Sequence, residues 1–263
     1  MKPRMTFVTL LLFFELTLSV TAGFLGGELY ARFGMLLALL LPLLLLLRAP
    51  LGTPPLYLAV KDRRAWLSLL LLPLFVLLTA GVSFSFSALC RLLGIPLREV
   101  TPMASPLLAV LFDALLPALL EELFCRGALF SALRPMGRRT AVLGSALLFS
   151  LMHANLAQLP YAFIAGIALG ALYEFSGSLL FPILFHLANN LLSLSLYFGL
   201  SLPVFFAILG GTAALSLPLF LLLARRMRIA PSRRETAAPR AVREFFLSPI
   251  LLYIAVILTF TFF

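Results

Sequence analysis

The chain has 263 residues, of which 62% are hydrophobic and 11% charged, with a formal net charge of +10. A soluble domain carries about 25% charged residues, so this chain cannot cover a water-facing surface and the soluble classes are excluded. The positive charge does not point to nucleic acid, because the arginines sit in the joins between apolar runs, where they act as topology signals. Two cysteines, Cys90 and Cys125, lie in or beside apolar segments, which excludes a disulfide framework and a CxxC metal site.

A membrane-spanning helix needs about 20 mostly apolar residues. Apolar runs at 5–23, 33–48, 66–90, 105–130, 140–156, 159–175, 178–199, 201–224 and 248–263 predict spans in chain order. Lys2 and Arg4 ahead of the first run, with Ala22 and Gly23 behind it, would also suit a cleaved signal peptide. A first transmembrane helix is the favoured reading, because further spans follow at once. The expected fold is all-α: a polytopic transmembrane bundle of about eight to nine spans with an intramembrane catalytic cavity. The ten-residue alternation of a membrane barrel is missing. The whole of 1–263 reads as one transmembrane domain, with a catalytic core at 105–200 and an Arg-rich loop at 225–247. With nine spans, the basic segments (the N-terminus, 48–65, 131–139 and 225–247) fall on one side, which places the N-terminus in the cytoplasm.

Ionisable residues inside spans cost about 2.5–3.5 kcal/mol each on insertion scales and default to functional hypotheses. Here they are Glu15, Asp113, Glu121, Glu122, Arg126, His153 and His186, with Glu174 at an edge. Adjacent helical residues point about 100° apart, so Glu121 and Glu122 diverge. Arg126 is four residues from Glu122 and shares its face, which leaves Glu121 free. Pro117 predicts a kink just before the pair. His153 and Glu121 are equally far in sequence from residue 137, so a hairpin of the fourth and fifth spans sets them at matched depth. His186 and Asn190 share a face in the seventh span, beside Asn189. Gly166 and Gly170 form a pair that permits close helix approach.

A carboxylate, two imidazoles and a carboxamide make a hydrolytic set, and two mechanisms fit it. In one, Glu121, His153 and His186 bind a divalent metal such as zinc and leave a position for water. In the other, Glu121 is the general base, and His186 with Asn190 donates hydrogen bonds to a developing oxyanion.

The three motifs Glu-Glu-x-x-x-Arg (121–126), Phe-x-x-x-His (149–153) and His-x-x-x-Asn (186–190) resemble, in that order, those of the CAAX-protease and bacteriocin-processing (Abi) family. Its eukaryotic member is the prenyl-protein endopeptidase. The resemblance covers about 105–200. It implies an all-helical fold and cleavage of a peptide bond in a membrane-associated protein or peptide, by a glutamic-type or metalloprotease mechanism. By the same resemblance, Glu121 activates water or binds metal, Glu122 is a catalytic residue that supports it and shares the activation, and Arg126 and Phe149 support the pair. His153 assists Glu121, and His186 with Asn190 forms the oxyanion site or completes the metal site. The protein is expected in the lipid bilayer (the inner membrane of a bacterial cell), with no nucleic-acid partner. Two alternatives stand beside this one. A proton-coupled transporter or channel would use the buried Glu and His as a relay, with Asp113 as an extra station. A non-catalytic bacteriocin-immunity protein would keep the site without using it.

Overall fold

The computed structural model describes residues 9–10, 12–18, 28–48, 58–60, 62–98, 100–226 and 250–262. Among these residues every regular element is helical. A helix bonds its own backbone polar groups, which lipid cannot do for it. Residues 12–18 are helical and precede α1 (Glu28–Arg48). Helix α2 (Arg63–Leu92) opens with a tight 3-10 stretch whose first turn is capped by the Asp62 carboxylate. Helix α3 (106–136) is followed by α4 (Arg138–Met152), α5 (Leu159–Ser176), α6 (Leu180–Tyr197), α7 (Leu202–Arg226) and α8 (Ile250–Phe262).

Each expected span from 33–48 onward has a helix in its place. Four described helices are long and apolar enough to cross a membrane: α2, α5, α6 and α7. Helices α4 and α8, with 15 and 13 residues, fall short of that length. Lys2, Arg4, Ala22, Gly23 and residues 227–247 of the Arg-rich loop lie outside the described residues. Helix α7 leaves Val204, Ile208, Leu215, Leu219 and Leu222 exposed, as a lipid-facing wall would.

Helix α3 is the least regular rod. Pro117 lacks the N–H that an α-helix would send back to Asp113. A wide π turn at Val110–Leu115 takes up that defect, with the Leu116 N–H reaching five residues back to the Leu111 carbonyl. A second π turn, Leu123–Leu129, begins directly after Glu122 and contains Arg126. Such turns occur often at functional sites. The expected kink is thus spread over two widened turns. Gly137, at φ 110°, reverses the chain between α3 and α4, a conformation that a side chain would resist.

Two large apolar cores and a smaller one hold the bundle. One packs Phe124, Leu129, Leu133 and Leu148 with Leu43 of α1 and Tyr253 of α8. The other packs Phe75 and Val76 of α2 with Leu169, Phe181, Phe185 and Phe205. Helix α3 belongs to the first and α6 to the second, and the smaller core joins Ala109, Phe112 and Ala114 of α3 to Leu194 of α6 where these two helices touch. The polar residues gather at that seam.

Candidate active site

Glu122 is wholly buried, and its Oε1 accepts a hydrogen bond from Arg126 Nη1 at 2.7 Å. The same oxygen stands 2.9 Å from His186 Nδ1, which therefore donates to it. Glu121 points elsewhere, with its side chain 19% exposed and its Oε2 3.8 Å from His186 Nε2. That gap is too long for a hydrogen bond. Glu121 Oε2 and Glu122 Oε2 are both buried without a hydrogen-bond partner among the described residues. The expected division stands: Glu122 is committed to Arg126, and Glu121 is the freer carboxylate. His186 lies between the two.

Arg126 is 0% exposed. Its Nη2 donates to the Gly166 carbonyl at 3.0 Å, and its guanidinium lies 4.6 Å from the centre of the Phe149 ring. The Gly166 carbonyl is reachable because α4 and α5 nearly touch. A Cβ on Gly166 would stand 2.8 Å from the Ala146 Cα, whereas one on Gly170 would meet Val142 at an ordinary 3.5 Å. The expected close-approach pair is therefore a single tight contact, at Gly166.

His153 holds its Nδ1 2.8 Å from the Phe149 carbonyl four residues back. That bond places the proton on Nδ1 and leaves Nε2 with its lone pair. His153 joins the cluster through the Phe149 ring, which it meets edge-on at 5.0 Å, while His186 meets the same ring at 5.6 Å. The contact expected between His153 and Glu121 is made to Glu121 by His186 instead. The physical reason lies in helix packing, since α6 lies against the 110–122 stretch of α3 that carries Glu121, whereas α4 packs on the 123–136 stretch beyond it.

Helix α4 ends at Met152 after 15 residues, not at 156 as expected. At about 1.5 Å rise per residue it is about 22 Å long, shorter than a hydrocarbon core of about 30 Å. Non-helical backbone at such depth is tolerated where protein covers it or where it lines a polar cavity. His153 is the first residue of this break, and Ala154 adopts φ 43°, a left-handed conformation unusual for a residue with a side chain. Asn155 covers the break from both directions. Its Oδ1 accepts from the Ala157 N–H at 2.9 Å, and its Nδ2 donates to the Arg98 carbonyl at 3.2 Å.

Asn190 donates from Nδ2 to the Ala114 carbonyl at 3.5 Å, a long bond at the edge of the hydrogen-bond range. Asn189 meets Thr79 of α2 at 2.7 Å. Asp113 forms an ion pair with Arg32 at 2.8 Å and accepts from the Met103 N–H at 2.8 Å. Arg32 also donates to the Thr101 carbonyl at 2.8 Å. The station a proton relay would use is thus a clamp on the segment before α3. Glu174 pairs with Arg134 at 2.9 Å and Arg138 at 3.4 Å, at the Gly137 end of the bundle. Glu15 is buried on the 12–18 helix.

Among the described residues no three His, Cys, Asp or Glu side chains group as the ligands of one ion. Glu121, His153 and His186, the expected metal set, form no such group among the described residues. Two contributors had no sequence signal of their own: the Gly166 carbonyl and Thr79. Arg32 stands at the end of a segment nearly free of basic residues, and only its charge beside a span hinted at a buried partner.

Residues 103–192 match a family profile described as Rce1-like, type II CAAX prenyl endopeptidase Rce1-like. No curated protein and no solved structure matches the chain. The matched segment carries all three motifs, and the four apolar helices with this match make the protein an integral membrane protein. The family suggests a CAAX-type intramembrane endopeptidase in general. Over residues 103–192 the chain is therefore similar to the Rce1-like family.

Proposed function

We propose that the protein hydrolyses a peptide bond in a membrane-associated protein or peptide, with Glu121 as the base that activates water. The observation that carries this reading is the unequal treatment of the two carboxylates. Glu122 Oε1 is held by Arg126 and His186, while Glu121 Oε2 is left unpaired 3.8 Å from His186 Nε2. A water oxygen set off the line between those two atoms can touch both at ordinary hydrogen-bond length.

In this reading Glu121 takes the proton as the water oxygen attacks the carbonyl carbon, and gives it to the departing amine. The oxyanion accepts from Asn190 Nδ2, whose bond to the Ala114 carbonyl is weak enough to be exchanged. It also accepts from His186 Nε2 when that ring carries two protons. Glu122 orients the imidazole, as a carboxylate does for the histidine of a catalytic triad. His153, at the break after α4, backs the Phe149 ring against which His186 is set. The positive-inside rule puts the Arg134–Arg139 turn in the cytoplasm, so the break after α4 faces the opposite leaflet.

The test uses purified protein in liposomes with a quenched fluorescent membrane-anchored peptide library. Wild type cleaves, and Glu121→Ala inserts and folds but loses cleavage by at least 10³-fold, in line with removal of a catalytic base. Wild-type cleavage by Glu121→Ala would sink the proposal. Protection against a bacteriocin that survives in Glu121→Ala would instead support a non-catalytic immunity role.

A further inference from the structure

Thr79 lies on α2, outside the segment that matches the family, and 2% of it is exposed. Its Oγ1 stands 2.7 Å from Asn189 Oδ1 on α6. The hydroxyl has no need of that partner, because the Phe75 and Val76 carbonyls of its own helix lie at 3.1 and 3.0 Å. Asn189 is the side that gains, since a carboxamide in an apolar seam must find a partner for its polar atoms. Either orientation of the amide keeps one bond between the helices. Thr79 donates to Oδ1, or the turned amide donates to Oγ1 while the hydroxyl proton goes back to its own helix.

The position of that bond on α6 matters. Asn189 is flanked by Asn190 and lies three residues after His186, so whatever fixes its direction fixes the rotation of the helix that aims both. On the α3 side, α6 is held by His186 on Glu122 and by the long Asn190 bond. On the α2 side the remaining contact is apolar, with Phe75 and Phe185 rings 5.5 Å apart. Apolar contact is non-directional and lets a helix turn.

We propose that Thr79 is a positioning residue, which locks the rotation of α6 through Asn189 and so aims His186 Nε2 and Asn190 Nδ2. For its activity arm this rests on the peptidase reading, and for its structural arm it does not. The chain has two histidines, so ¹⁵N-histidine labelling gives two imidazole signatures in detergent micelles, which a His153→Gln variant assigns. Thr79→Val removes the hydroxyl at constant shape and is expected to shift the His186 signature while leaving that of His153 in place. Thr79→Ser restores it. Asn189→Leu breaks the same bond from the other helix and moves the same signal, which keeps the test open if Thr79→Val folds poorly. In the cleavage assay Thr79→Val lowers kcat on the order of 3- to 15-fold, the effect of one interhelical hydrogen bond in a membrane, with KM little changed. An unshifted His186 signature in Thr79→Val or Asn189→Leu overturns the proposal, as does an equal shift of both histidines, which would mean general loosening. If wild type cleaves nothing, the peptidase reading fails and the two ring signatures still decide the role of Thr79.

Discussion

Arg126 is the residue on which the buried cluster turns. It reaches a carboxylate, a carbonyl and an aromatic face at once, at 2.7, 3.0 and 4.6 Å. Such a set needs the flat, forked guanidinium, because an ammonium presents a point charge and no plane to stack. Arg126→Lys should therefore fail to replace it. Cleavage is expected to fall more than tenfold and the thermal unfolding temperature in detergent to drop, and a lysine variant with wild-type kcat would contradict this account. Glu122→Ala leaves the Arg126 charge buried without its counterion. Stranding one partner of a buried pair costs about 3–5 kcal/mol, so this variant should lose stability as well as activity. Glu121→Ala, at a partly exposed and unpaired carboxylate, should lose activity alone. Comparing their melting curves separates the two glutamates. At this scale the sequence was informative. Charged groups are costly at membrane depth, so Glu121, Glu122, Arg126, His153 and His186 stood out by type alone, and the helical repeat paired Glu122 with Arg126. It did not show that His186, and not His153, would meet both carboxylates, because which helices neighbour each other is not written in any one of them.

At the scale of the element, α4 and α5 are set by one missing side chain. The Gly166 contact with Ala146 leaves no room for a methyl group, while Gly170 has ordinary space. Gly166→Ala should push the helices apart and pull the Gly166 carbonyl from Arg126. Overpacking of this kind costs about 1–3 kcal/mol, and Gly170→Ala should stay within about 0.5 kcal/mol of wild type. Thermal unfolding of the two variants side by side checks the contrast. From the sequence the two glycines looked equivalent, since spacing alone cannot tell which of a pair sits at the crossing point. The depth estimate for His153 had a related fault. It assumed two ideal helices, whereas α3 carries two π turns and α4 stops at Met152. Element positions were legible from apolar run length. The breaks within them depend on Pro117 and on tertiary contacts that no local pattern contains.

At the scale of the whole molecule, the competing chemistries make different demands. Hydrolysis by Glu121 needs no metal, so cleavage should persist in chelator and purified protein should carry no stoichiometric zinc. Zinc at one per chain together with loss of activity in chelator would assign Glu121, His153 and His186 to the metal. A proton relay would need Asp113 free to exchange, yet Arg32 and the Met103 N–H engage it. Asp113→Asn should thus lower thermal stability without changing proton flux across liposomes, and a flux that depends on Asp113 would revive the relay.

The clamp between Arg32 and Asp113, the Arg98 carbonyl on Asn155 and the Thr79 hydroxyl on Asn189 have one origin in common. In each, a residue before 103 grips one within 103–192. The matched segment is accordingly not a cassette. Moved alone into a foreign bundle, it would bring every motif residue along and leave Asp113, Asn155 and Asn189 facing lipid without their counterparts. Any transplant of this chemistry has to carry the seams as well as the motifs.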